Sequence, residues 1–109
     1  MITWPAIIKY IGEAELAYVQ DQAAWDADVH LHGFRYEKAD VLIDSQGEIY
    51  TLLNAVNGSV RPEPMGEFAQ LEEVIEMVRE HASQLGSCCV SKFYASSIHE
   101  AVCAVSALD

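Results

Sequence analysis

Basic side chains are scarce in this sequence: six Lys and Arg face seventeen Asp and Glu, giving a formal net charge of -11. A surface of that sign repels phosphate backbones and anionic lipids, so neither direct nucleic-acid binding nor a membrane partner is expected. A long apolar run is also missing. The opening Met1–Tyr10 has no basic region ahead of an apolar stretch, so it reads as neither a secretory signal nor an anchor, and the expected location is the cytoplasm. The only cysteines are Cys88, Cys89 and Cys103, which cannot form an even disulfide framework. A vicinal Cys88–Cys89 disulfide would be strained and easily reduced, so all three are read as small buried hydrophobes in a reducing compartment.

The nucleotide-binding signatures Gly-x-Gly-x-x-Gly and Gly-x-x-x-x-Gly-Lys-Ser/Thr are absent, as are Gly-x-Ser-x-Gly, His-Glu-x-x-His and Cys-x-x-Cys. Nucleotide chemistry, acyl transfer and structural zinc therefore have no motif behind them, and no cofactor is expected. No repeat, linker or low-complexity block divides the chain, so residues 1–109 read as one domain. With 51% hydrophobic residues, that domain has ample apolar surface to offset chain entropy.

The pattern is strands first and helices last. Ala6–Ile11 and Ala14–Val19 flank Gly12-Glu13, which reads as a hairpin with Gly12 opening a two-residue type II′ turn. Asp21 caps one or two helical turns anchored by Trp25, and Val29–His32 then reads as a short extended piece that breaks into a loop at Gly33. Ala39–Ile43 and Glu48–Val56 form a second hairpin around Asp44-Ser-Gln-Gly47, and Asn57-Gly58 turns the chain again into Ser59–Pro64. Pro62 and Pro64 mark that last piece as an edge strand.

Residues 70–85 carry Leu71, Val74, Ile75, Val78, Ala82 and Leu85 at helical spacing and stop before Gly86. Ser97-Ile-His-Glu100 has the form of a capping box opening a helix over 97–108, and the apolar run Cys88–Phe93 between the two helices is read as a strand. The expected fold is α+β: an antiparallel sheet of four or five strands, mainly residues 5–64, with the two C-terminal helices packed on one face. The expected core is Leu16, Tyr18, Val41, Ile43, Leu52, Leu71, Val74, Ile75, Val78, Val102 and Val105.

Two clusters and one lone histidine carry possible chemistry. An extended His30-x-His32 would point both imidazoles to one face, where Asp26 and Asp28 complete a weak N/O set for a divalent metal, against the alternative of surface histidines. Glu72, Glu76 and Glu80 form an i, i+4, i+8 row that helix stability does not call for, so it is either a solvated face or a docking strip for a basic protein. His81 is expected at the rim of the core.

Ile2–Tyr10, Val41–Leu52 and Glu80–Val90 resemble a small family of uncharacterised bacterial proteins catalogued as a domain of unknown function. The resemblance spans nearly the whole chain. It implies a small bacterial α+β domain and transfers no functional residue. The leading functional expectation is a non-catalytic interaction or regulatory module meeting a basic protein through an acidic face. The alternatives are a metal- or ligand-dependent enzyme built on His30, His32, Asp26 and Asp28, and a homodimer paired through an exposed strand edge.

Overall fold

The structure, a computed structural model, describes residues 2–53, 55–86 and 93–108. β1 (Ala6–Lys9) and β2 (Leu16–Val19) pair antiparallel with Ile7 opposite Tyr18, and β1 pairs on its other side with β3 (Val41–Ile43). β4 (Glu48–Thr51) follows β3, and β7 (Glu63–Phe68) closes a five-stranded antiparallel sheet of order β2-β1-β3-β4-β7. Two short strands, β5 (Ala55–Val56) and β6 (Ser59–Val60), form a separate hairpin. The helices are α1 (Gln22–Ala27), α2 (Val29–Gly33), α3 (Leu71–Gln84) and α4 (Ile98–Leu108).

The α+β arrangement is the expected one, but the expected edge strand Ser59–Pro64 is split: Ser59–Val60 pairs with β5, and the edge strand β7 begins at Glu63 with Pro64 within it and Pro62 before it. Side chains alternate across the sheet as a pleated strand requires. Ile7, Leu16 and Ile43 face α3 and α4, where Val74, Ile75, Val78, Ala101, Val102 and Val105 complete one core. Ala6, Ile8, Val19, Leu42 and Tyr50 face the other way, against Trp25, Tyr36, Leu52 and Val60. The second core was not anticipated. It explains why Ala6-Ile-Ile8 is a continuous apolar run: a strand buried on both faces has no polar side. Conversely, Tyr18, Val41 and Leu71 of the expected core are only partly buried.

The turns follow the glycines. Glu13 N–H donates to Tyr10 C=O at 3.1 Å, and Gly12 holds φ +76 at the third position of that turn. This is the placement of a type II turn inside a longer connection, not the two-residue type II′ turn expected, because pairing stops at Lys9 and Leu16. Asn57 (φ 53) and Gly58 (φ 77) supply the two positive φ values of a type I′ hairpin, as expected. Gly47 has φ +87, and a Cβ there would meet Ile98 Cδ1 at 2.7 Å and the Ala69 carbonyl oxygen at 2.8 Å.

Several expectations are corrected. Val29–Gly33 is helical, because Asp28 Oδ1 accepts from the His30 and Leu31 N–H groups and starts a new turn directly after α1. Glu48–Val56 is not one strand, since the chain leaves the sheet after Thr51 and Ala55–Val56 pairs with β6. Within the expected strand Cys88–Phe93, only Phe93 belongs to the described residues, and it is not in a strand; Cys88 and Cys89 lie outside them. Cys103 is half-buried, with Sγ 3.6 Å from His99 Nε2, and is not a core residue.

Asp44 is fully buried at the β3–β4 turn. Its carboxylate accepts from Thr3 N–H (3.0 Å), Gln46 N–H (2.9 Å) and Glu48 N–H (2.9 Å), tying the N-terminal arm to the hairpin. Ser45 reinforces the junction by donating Oγ–H to Pro5 C=O at 2.6 Å.

Two stability changes are expected in denaturant melts. Ile75→Ala should cost about 2 to 5 kcal/mol through lost burial and the cavity left behind, and a loss below about 1 kcal/mol would remove Ile75 from the core. Asp44→Ala should cost about 3 kcal/mol or more by stranding three backbone donors. Asp44→Asn should restore only part of it, because one acceptor becomes a donor.

Candidate functional site

The loop after β1 and the segment after α2 meet on one side of the sheet and leave a cleft of about 730 Å³ between them. Asp40 sets this junction. It is 2% exposed, and its two oxygens accept from Ile11 N–H at 2.7 Å and Glu37 N–H at 2.8 Å. Lys9 reaches across the β1–β2 connection to the carbonyls of Tyr10 and Glu13 and holds that loop's shape.

Three aromatic rings form one wall. Tyr10 and Phe34 meet edge to face at 5.2 Å, Phe34 and Tyr36 are tilted at 4.9 Å, and the Tyr10 and Tyr36 rings are parallel at 6.3 Å. Tyr36 is buried and donates its hydroxyl to Leu31 C=O at 2.9 Å, so α2 fixes the ring. Phe34 and Ile11 remain about half exposed, at 49% and 54%. Exposed Glu13, Glu15 and Glu37 form the acidic rim, and among the described residues exposed Arg35 is the one cation lining the cleft. A smaller hollow of about 270 Å³, bounded by Leu52, Leu53 and Val60, shares Phe34, Arg35 and Tyr36 with the cleft. The apolar surface therefore continues past Arg35 to exposed Leu53. Apolar residues grouped on a surface in this way mark an interaction site more often than scattered ones do.

The candidate metal set is not brought together. On α2, His30 and His32 lie about 200° apart around the helix axis instead of on one face. His32 Nδ1 accepts from Val60 N–H at 3.0 Å, and Nε2–H donates to Trp25 C=O at 2.9 Å, so both ring nitrogens serve the fold. Asp28 caps α2, and Asp26 accepts from Gln22 Nε2–H at 2.9 Å. Among the described residues no group of three His, Cys, Asp or Glu side chains is placed to hold an ion.

Glu72, Glu76 and Glu80 are exposed along α3, and Glu76 lies 3.7 Å from Arg79. Arg79 is otherwise committed to Phe93 C=O, with Nε at 3.1 Å and Nη2 at 2.7 Å. His81 is fully buried, not at the rim, and its Nδ1 accepts from Leu16 N–H at 2.9 Å, joining α3 to the edge strand β2.

The cleft was not identified from sequence. Its aromatics are split between Tyr10 and the stretch Phe34–Tyr36, and the available signal was the apolar alternation broken at Gly33 in a chain otherwise rich in carboxylates.

Burial, followed by the negative charge of Asp40, raises the Tyr10 hydroxyl above the ordinary tyrosine range. Burial and then Tyr10 raise Tyr36 further, and burial with the hydrogen bond to Glu48 does the same for Tyr50. Above about pH 10 the unfolded chain releases these protons while the folded chain keeps them. Their contribution to stability is thus complete below that pH and lost as pH rises through the folded values. Tyrosinate absorbance should show Tyr10, Tyr36 and Tyr50 ionising only as the protein unfolds. Ionisation of these three near the ordinary tyrosine value, with folded structure retained, would contradict their packing.

The sequence model of DUF4144, described as a protein structure with unknown function, matches residues 4–105. The fold is similar to an NMR structure of a protein from Shewanella Amazonensis, with 25% identity, a TM-score of 0.71 and coverage of 100% of this chain and 91% of that one. No curated protein matches.

Proposed function

Because the chain belongs to the DUF4144 family, whose function is unknown, its role has to be read from its surface, and we propose a non-catalytic interaction module that binds a basic protein partner. The supporting observation is the cleft: an apolar floor of Tyr10, Ile11 and Phe34 beside the carboxylates of Glu13, Glu15 and Glu37. The floor offers surface that gains from leaving water, and the rim favours Lys or Arg on whatever covers it. An apolar side chain flanked by basic residues meets both demands. Among the described residues the lining includes no Ser, Cys, Lys or His. The row Glu72, Glu76 and Glu80 adds to the long-range attraction. In keeping with the bacterial relative, the proposed setting is the bacterial cytoplasm.

The test is a chemical-shift titration with a lysine-rich peptide carrying two leucines. Shifts should cluster on Tyr10, Ile11, Phe34 and Glu37 and weaken as salt rises. Replacing Glu13, Glu15 and Glu37 with Gln should weaken binding about tenfold or more, a change of about 1.4 kcal/mol. The same change at Glu72, Glu76 and Glu80 should alter it less than about twofold. The reverse pattern would move the docking face to α3.

A further inference from the structure

Arg35 is the feature of the cleft that a purely acidic docking surface leaves unexplained. It lines both the aromatic cleft and the smaller hollow, and among the described residues it is the only charged side chain of the hollow. Four carboxylates, those of Glu13, Glu15, Glu37 and Asp40, line the same cleft, yet Arg35 forms no ion pair or hydrogen bond with any described residue. Asp40 is buried, and its oxygens already accept the Ile11 and Glu37 N–H groups. A guanidinium presents a planar fork matched to a carboxylate, so Arg35 offers a directional anion-binding group between two apolar hollows.

A simple anion does not suit this position, because the acidic rim and the net charge of -11 oppose it. The compatible ligand pairs one carboxylate with compensating positive charge and an apolar group beside the carboxylate. The C-terminal end of a peptide meets these conditions: its last residue carries carboxylate and side chain on one Cα, and preceding Lys or Arg residues reach the rim. Resting on the interaction-module reading above, we propose that the cleft captures the C-terminus of a partner chain. The terminal carboxylate pairs with Arg35, the terminal apolar side chain packs on Phe34 and Tyr36, and upstream basic residues face Glu13, Glu15 and Glu37. A side-chain carboxylate inside a chain would serve less well, because its apolar neighbour hangs from a different Cα.

The experiment compares two peptides by calorimetry: acetyl-Lys-Arg-Lys-Leu-Leu ending in a free acid, and the same peptide ending in an amide. The free acid should bind about tenfold more tightly. Arg35→Gln should abolish that preference while leaving amide binding within about twofold, and Arg35→Lys should restore part of it. Arg35 is exposed, so these variants are expected to fold, and near-UV circular dichroism checks that they do. An amide that binds as well as the acid would overturn terminal-carboxylate capture while leaving the basic-partner reading intact. If neither peptide binds at low salt, both readings fall.

Discussion

The central strands of the sheet must be dry on both faces, and the rest of the molecule answers to that requirement. Ile7 and Ile43 look one way, while Ile8 and Leu42 look the other. Helices α3 and α4 cover the first face with a regular apolar stripe. Among the described residues the second face has no comparable helix. It is covered by Trp25, Tyr36, Leu52 and Val60, from short and irregular segments that follow the strands in sequence. Short segments bury little surface individually, so they have to be pinned by hydrogen bonds as well as by packing.

Those pins are buried or half-buried polar side chains that accept backbone N–H groups. Asp44 holds the N-terminal arm and its own turn, Asp40 joins the β1–β2 connection to the segment before β3, and His32 clasps α1 to the β5–β6 hairpin. His81 does the same between α3 and β2. Such groups stabilise only when fully bonded, because an unsatisfied buried donor costs more than a typical hydrogen bond contributes. The same reasoning bears on the metal question: an imidazole with both nitrogens committed to backbone groups has none to offer an ion.

The cleft follows from this irregular cover. Tyr36 must be buried to cover Ile8 and Leu42, and its neighbours Phe34 and Arg35 are carried to the surface beside the loop that Asp40 holds. A regular helix over this face would have closed the gap.

Regular elements were legible in the sequence because their patterns are local. The stripe of Val74, Ile75 and Val78 marked α3, Asn57-Gly58 marked a hairpin, Asp44–Gly47 marked another, and Pro64 marked an edge. The short strands were harder to bound, and α2 was missed because Asp28 does double duty as the end of one helix and the cap of the next. The site was largely illegible. Composition established the charge of the surface, but which carboxylates share a cleft depends on the pairing that brings residues 10–16 beside 34–40. By itself the sequence determined the α+β class, the main helices, the Asp44–Gly47 and Asn57-Gly58 turns and the acidic character, since each arises from neighbours along the chain. Only the tertiary structure decided that the sheet has two covered faces, that His32 and His81 are structural, and that Arg35 has no partner among the described residues despite the carboxylates around it. Those outcomes arise from contacts between segments far apart in sequence, for which no local pattern exists.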